Sequence, residues 1–261
     1  MFNKILIVHK DNLPEESKKY LGKIINLLKG RNFKILSYSE FNKNHADKFD
    51  LVITFGGDGT FVKVGNLIKD SFILGINSNP NFSEGALTNF CIKSIDALNE
   101  ILEGKFSIFK RTRAKIVLNG KEIDEKAINE VYIGSLSQFH SSRYKIKFNG
   151  KEEEQRSSGI IVSTGTGSTG WYKSAGGKPF NPEEEKLSFI VREPYIGNRL
   201  FKPKILSGDI SKEERIIVES LRDFGGVLAI NDSIFDFNKG DIVEIELSNQ
   251  PLNVLIKNSQ E

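Results

Sequence analysis

Residues 56–60 read GGDGT, one acid among three glycines, directly after the apolar run DLVITF and directly before FVKVGNLIKD. Glycine has no Cβ, so Gly56, Gly57 and Gly59 allow positive φ and let a bulky anion approach the backbone N–H groups. A helix opening after Thr60 adds unpaired N–H groups and a partial positive charge, which favour phosphate. Asp58 is the odd member. A carboxylate beside a phosphate is repelled unless a cation bridges the two, or unless it takes or orients a proton on an incoming hydroxyl. The chemistry indicated is phosphoryl transfer; an Asp-Gly turn with a solvated acid is the plain structural alternative.

Two further constellations lie downstream. In AINEVYIG, an amide and a carboxylate, Asn129 and Glu130, adjoin β-prone residues. Strand neighbours point to opposite faces, so both reach one ligand only at a strand end or bulge. There they suit ribose hydroxyls or a nucleobase. The segment GIIVSTGTGSTGWYKSAGG, residues 159–177, concentrates small residues and the hydroxyls of Ser163, Thr164, Thr166, Ser168 and Thr169. Its Gly165, Gly167 and Gly170 satisfy the dinucleotide-binding spacing, but no clear helix and parallel strand follow, and Lys173 does not directly follow a glycine as a Walker lysine would. The loop offers backbone and hydroxyl hydrogen bonds, with Trp171 and Tyr172 available to stack on a base.

The positioning elements follow from periodicity. Strands are expected at Lys4 to His9, Phe33 to Leu36, Leu51 to Phe55 and Phe72 to Ile76. Helices are expected after Pro14, after GGDGT, where Phe61, Val64, Leu67 and Ile68 keep helical spacing, and from Ser94 to Glu103. Pro14 suits the first turn of the first helix, Glu15 and Glu16 its positive end, and Gly30 its stop. This alternation gives an open, mostly parallel α/β domain over residues 1–104, with GGDGT beyond the carboxyl ends of its strands, where ligands bind in such sheets. From Lys105 short β-rich runs dominate, giving a predominantly antiparallel β domain over 105–250. The segment 251–261 is set apart as able to return to the first domain. The acid runs Glu152 to Glu154 and Glu183 to Glu185 read as solvated loop faces.

Composition narrows the classes. Over 261 residues, 37 Lys and Arg face 34 Asp and Glu with both signs interspersed, so no basic field points to nucleic acid or a membrane surface. Cys91 is the single cysteine, and His9, His45 and His140 lack metal-ligand spacing, which leaves no disulfide framework or zinc cluster. The apolar run in MFNKILIVHK is too short to span a bilayer and lacks a cleavage site, so a cytoplasmic protein is expected.

In this order, GGDGT, Asn129–Glu130 and the 163–170 loop resemble the NAD kinase family, across most of the chain. GINSNPNFSEGAL, INEVYIG, SSGIIVSTGTGS and REPYIGNRLF resemble its mitochondrial-type branch in particular. The lipid kinases share GGDGT without the later motifs. The resemblance implies phosphoryl transfer from ATP to the adenosine ribose 2′-hydroxyl of NAD, giving NADP, with Mg²⁺ or another divalent cation held mainly by the ATP phosphates. Asp58 would be base or orienting acceptor and, with Gly59, would lie against NAD; Gly56, Gly57, Gly59 and Thr60 would line the phosphate site. Asn129, Glu130, Arg156, Ser158, Thr166, Thr169, Gly170, Trp171, Tyr172 and Ser174 would bind NAD. A homodimer or homotetramer is implied as well.

Without a Walker lysine, Mg²⁺ and backbone amides would carry much of the phosphate charge. The chain departs from common bacterial members at Ser158, where they have an aspartate, at Gly165 for proline and Trp171 for tyrosine; their late Asp-Gly pair is represented only by Asn231 and Asp232. A lipid or sugar kinase sharing the glycine turn, and a non-catalytic NAD(P)-sensing protein, are the competing readings.

Overall fold

The computed structural model describes residues 2–92, 96–137 and 139–258, and the chain divides into two compact units. One comprises the chain up to Lys110 together with the segment from Leu252 onward; the other is Arg111–Pro251.

In the first unit the strands are β1 (Lys4–His9), β2 (Asn32–Ser37), β3 (Leu51–Gly56), β4 (Phe72–Asn77), β5 (Phe90–Cys91) and β6 (Ser107–Arg111). The helices are α1 (Glu15–Leu27), α2 (Asp58–Leu67) and α3 (Asp96–Leu102). Ser94, where the sequence places the start of the third helix, lies outside the described residues. The last strand of the chain, β19 (Leu252–Ile256), enters this sheet, whose order is β2-β1-β3-β4-β19-β6 with β5 also on β4. β1 pairs in parallel with β2 and β3, and β4 with β3, β5 and β19. Every residue of β3 is buried, as expected of a parallel strand covered on both faces.

The unit boundary falls at Lys110 and not at the expected residue 104. Ser107–Arg111 is a strand of the first sheet although its sequence, SIFKR, reads like the β-rich runs that follow. Ser17 of α1 donates to the carbonyl of Ser78, tying the helix to the segment after β4. Parallel pairing brings the carboxyl ends of β1, β3 and β4 to one edge, where the glycine turn lies.

The second unit holds two six-stranded sheets. One has the order β11-β10-β15-β18-β7-β8, the other β14-β13-β12-β9-β16-β17. The first contains β7 (Ala114–Leu118), β8 (Lys121–Glu122), β10 (Ser142–Phe148), β11 (Lys151–Ser157), β15 (Arg215–Ser220) and β18 (Ile242–Leu247). The second contains β9 (Glu130–Ser135), β12 (Gly159–Ser163), β13 (Leu187–Arg192), β14 (Ser207–Ile210), β16 (Gly226–Ile230) and β17 (Ser233–Asp236). β10 alternates buried and outward positions, with Tyr144, Ile146 and Phe148 inward. Residues from both sheets share one core, including Ile116, Ile133, Ile160, Phe189, Ile216 and Ile245. The run Glu152–Glu154 is part of β11 and not a loop, and Glu153 accepts the N–H groups of Lys204 and Ile205. Among the described residues no helix is long and apolar enough to cross a membrane.

Arg113 is fully buried where the chain enters this unit. Its Nε donates to the carbonyl of Gln250 at 2.7 Å and its Nη2 to that of Pro251. A buried guanidinium is tolerated only when its donors are matched, and a carbonyl left unpaired costs about 1–3 kcal/mol. Arg113→Met, which keeps much of the volume, is therefore expected to lower the urea midpoint by that order at an unchanged slope.

Candidate active site

The glycine turn is built by the register of β3 on its neighbours. α2 starts at Asp58, two residues earlier than the sequence suggests, so Asp58, Gly59 and Thr60 form its first turn, with Gly57 at the cap. A Cβ on Gly56 would overlap the Thr60 hydroxyl, and one on Gly57 would stand 2.9 Å from Ser83 Oγ. Gly56 therefore has no room for a side chain, while one on Gly57 would displace only the Ser83 hydroxyl. Gly59 is different, because a Cβ there meets nothing within 4 Å.

The Asp58 carboxylate is held from across the cleft. Oδ1 accepts the N–H of Leu87 at 2.9 Å and Oδ2 that of Ala86 at 3.1 Å. Those N–H groups are presented by the turn at Gly85, whose φ of +67° suits glycine and where a Cβ would collide with the Asn77 amide. Asn77 fixes the same segment, accepting the N–H of Asn79 and donating to the Ser83 carbonyl. A cleft of about 750 Å³ opens beside Asp58, Gly57 and Gly59, with Lys10, Asn79 and Phe82 also on its walls. Asn77 and Phe82 belong to the GINSNPNFSEGAL segment; Lys10 has no motif of its own, and only the shared edge of parallel strands points to it.

In the second unit Asn129 precedes β9 and Glu130 opens it, the strand-end placement that frees the pair from alternation. Asn129 is half-buried, its buried Oδ1 has no hydrogen-bond partner among the described residues, and its carbonyl accepts the N–H of Thr164. Glu130 is partly buried, and burial raises its pKa above the usual carboxylate value. Gly167 packs against both; a Cβ there would stand 2.5 Å from the Asn129 carbonyl and 2.8 Å from Glu130 Oε2. The structure thus brings the pair and the loop together.

Most of the loop hydroxyls serve the loop itself. Ser163 donates to the Thr164 carbonyl, Thr164 to that of Ile128, and Ser168 to those of Gly165 and Phe180; all three are buried. Thr166 is buried and accepts Arg111 Nη1. Thr169 and Gly170 are exposed, as is Ser174, whose hydroxyl donates to the Gly170 carbonyl. Gly165 has no room for a side chain, since a Cβ would overlap the Asn181 carbonyl.

Tyr172 is not available for stacking. It is only 6% exposed and packs edge-on against Phe180, and burial raises its pKa. Its place in the four-residue helix α4 (Trp171–Ser174) turns it inward while Trp171 keeps 39% of its surface exposed. Trp171 lies 5.1 Å from the Tyr132 ring, with the Arg192 guanidinium 4.9 Å from its own centroid. The Tyr132 hydroxyl donates to the Ser158 carbonyl, and its ring crosses positions where Gly134 and Gly159 leave space. Those in-strand glycines were the available sign of a close approach. The Arg156 guanidinium lies 4.7 Å from the Phe201 ring centroid.

Comparison with known proteins agrees with this layout. Residues 6–106 match the model of the ATP-NAD kinase N-terminal domain, and residues 128–255 that of the ATP-NAD kinase C-terminal domain. An NAD kinase of Thermococcus gammatolerans is 37% identical over 205 residues, covering 77% of this chain and 70% of the relative. One from Caldicellulosiruptor saccharolyticus is 29% identical over 92% of this chain and 89% of the relative. The fold resembles that of yeast NADH kinase complexed with NADH, with a TM-score of 0.78 at 16% identity over 99% of this chain and 84% of that one. It also resembles an Archaeoglobus fulgidus NAD kinase in complex with ATP, with a TM-score of 0.72 at 22% identity over 98% and 94%.

Two measurements test the geometry. Because nothing in the protein opposes a Cβ at position 59 and alanine is the better helix former by about 1 kcal/mol, Gly59→Ala is expected to melt no lower than wild type. Its activity is nonetheless expected to fall at least tenfold, by intrusion into the ligand's space. Glu130 has a raised folded pKa, so its ionised form is disfavoured in the fold. That penalty is absent below the ordinary glutamate pKa and sets in as pH rises through it toward the folded value. Thermal melts should therefore place Glu130→Gln above wild type at pH 7, with the gap closing near pH 4. On the motifs, the domain matches and these similarities together, the chain belongs to the ATP-NAD kinase family.

Proposed function

We propose that this chain transfers the γ-phosphoryl group of ATP to the 2′-hydroxyl of the adenosine ribose of NAD, giving NADP and ADP. The hydroxyl oxygen bonds to the γ-phosphorus, the bond from that phosphorus to the oxygen bridging to ADP breaks, and Asp58 accepts or orients the hydroxyl proton. The observation that carries this reading is the Asp58 carboxylate, fixed through both oxygens beside an open glycine turn. A carboxylate offers about four acceptor positions, so two backbone hydrogen bonds leave lone pairs for a substrate hydroxyl. Positioning of this kind is most of what phosphoryl transfer asks of a protein.

In the second unit, Asn129 offers an amide oxygen with no donor among the described residues and Glu130 a half-buried carboxylate next to it, a pairing that suits vicinal hydroxyls. Thr169, Gly170, Trp171 and Ser174 are the exposed members of the set assigned to NAD; Arg156 and Ser158 are half-buried. Thr166 and Tyr172 would act only from beneath, through Arg111 and the Trp171 helix.

The cleft suits a hard cation, since Asp11 and Asp58 present carboxylate oxygens. Among the described residues no three His, Cys, Asp or Glu converge. Mg²⁺ commonly takes one or two carboxylates with waters and substrate phosphates. Asp58 or Asp11 and the ATP phosphates would hold it, and when bound it would neutralise charge on the transferring group. The reading extends to a cytoplasmic homodimer or homotetramer. It also places the chain in the mitochondrial-type branch, on the strength of the GINSNPNFSEGAL and REPYIGNRLF segments.

The test is NADP formation from NAD, ATP and Mg²⁺, read with an NADP-specific dehydrogenase, with an NADH arm read as NADPH. Wild type should turn over. Asp58→Asn, which keeps one carbonyl oxygen but sets an amide against a backbone N–H, should fold with a slightly lower melting point and lose about 10²- to 10⁴-fold in kcat. NAD binding without turnover under any donor and metal would overturn the kinase reading in favour of a sensor.

A further inference from the structure

The glycine turn has no Walker lysine in its own sequence, yet the fold delivers a lysine to it from elsewhere. Lys10 follows β1 directly, and its backbone N–H donates to the Phe55 carbonyl at 2.9 Å, which extends the parallel register to the residue before the turn. Its Cβ lies 3.3 Å from where a Cβ on Gly56 would stand, so the stem of the side chain starts against the turn itself.

Among the described residues lining the cleft, Lys10 is the only lysine or arginine, and its ammonium forms no ion pair with a described residue. Neither carboxylate of the cleft forms an ion pair with Lys10. Asp58 takes the N–H groups of Ala86 and Leu87, and Asp11 Oδ1 faces the N–H and hydroxyl of Ser39, at 3.4 and 3.2 Å. An exposed cation on a flexible stem, without an ion pair among the described residues and at the wall of a cleft of about 750 Å³, has one natural counter-charge, the polyphosphate of the donor.

We propose that Lys10 binds the terminal phosphates of the nucleoside triphosphate and stabilises the negative charge that builds on the bridging oxygen as its bond to the transferring phosphorus breaks. The ammonium keeps all its protons throughout; it acts as a point charge, in the way lysines serve phosphate elsewhere. This assignment rests on the kinase reading above and adds a side-chain cation to the Mg²⁺ and backbone amides expected to carry much of the phosphate charge.

Lys10→Met retains the aliphatic stem that lies on Gly56 and removes only the charge; Lys10→Arg retains the charge. With saturating NAD, Lys10→Met is expected to lose at least 30-fold in kcat/KM for ATP, with KM for NAD within twofold of wild type. Lys10→Arg is expected to recover most of the loss. Titration calorimetry of Mg·ATP and of adenosine separates charge from base recognition: the Met variant should weaken ATP at least tenfold and leave adenosine unchanged. Wild-type-like ATP kinetics and binding in Lys10→Met would overturn the proposal while leaving the kinase reading intact. A wild type that binds ATP in a Lys10-dependent way without making NADP would do the reverse. Equal losses in the Met and Arg variants would show that the residue serves packing and not charge.

Discussion

The candidate site depends on two hydrogen bonds, from the backbone of Ala86 and Leu87 to the two oxygens of Asp58. They join the start of α2 to a segment 28 and 29 residues further along. A carboxylate on an exposed glycine turn would otherwise sample several rotamers, and each would aim its lone pairs differently. The segment can deliver those N–H groups because Gly85 takes a left-handed conformation over the Asn77 amide, and Asn77 is itself the last residue of β4. The orientation of one acid is thus set by the register of β3 on β4, two mainly apolar and almost wholly buried strands. Core packing and site geometry are one problem in this unit.

The second unit achieves its site differently. Here the backbone is brought close by removing side chains: Gly134 and Gly159 let Tyr132 lie across the sheet, and Gly165 and Gly167 let the loop press against Asn181 and Asn129. The hydroxyls of the loop are consumed in holding that shape. What remains outward is a buried amide oxygen, a carboxylate whose ionisation burial disfavours, and the Trp171 face beside Arg192. Leaving acceptors unpaired inside a protein costs stability, and a ligand that supplies donors recovers it.

Much of this was legible in the chain, and the exceptions have physical causes. The parallel sheet declared itself because its strands are apolar on both faces, and the glycine turn because no other residue type gives its backbone such freedom. The first unit runs past residue 104 to Lys110 without a local sign in the sequence, because β6 is mostly exposed and its residues carry no parallel-sheet signature. Glu152 to Glu154 looked like loop because an edge strand with one wet face can be almost wholly charged. Nothing local shows that Tyr172 faces inward, because a single helical turn gives too little periodicity to tell inward from outward. Lys10 carries no local signal for a deeper reason. Its place beside Gly56 exists only through pairing of β1 with β3, a relation between distant segments that local patterns do not encode.

The position of β19 has a consequence for how the molecule is made. This strand pairs with β4 at Ile73, between β4 and β6, yet it is translated after the whole of the second unit. At ordinary ribosome speeds that interval is on the order of ten seconds, long on the timescale of most folding events. The second unit is contiguous and can close as it emerges. The first must wait with part of an interior strand edge bare, the kind of surface that invites pairing with the wrong chain. Newborn chains should therefore meet chaperones through their amino-terminal half, and a ribosome that stops short of residue 252 would release a protein whose second unit is finished and whose glycine-turn unit is not.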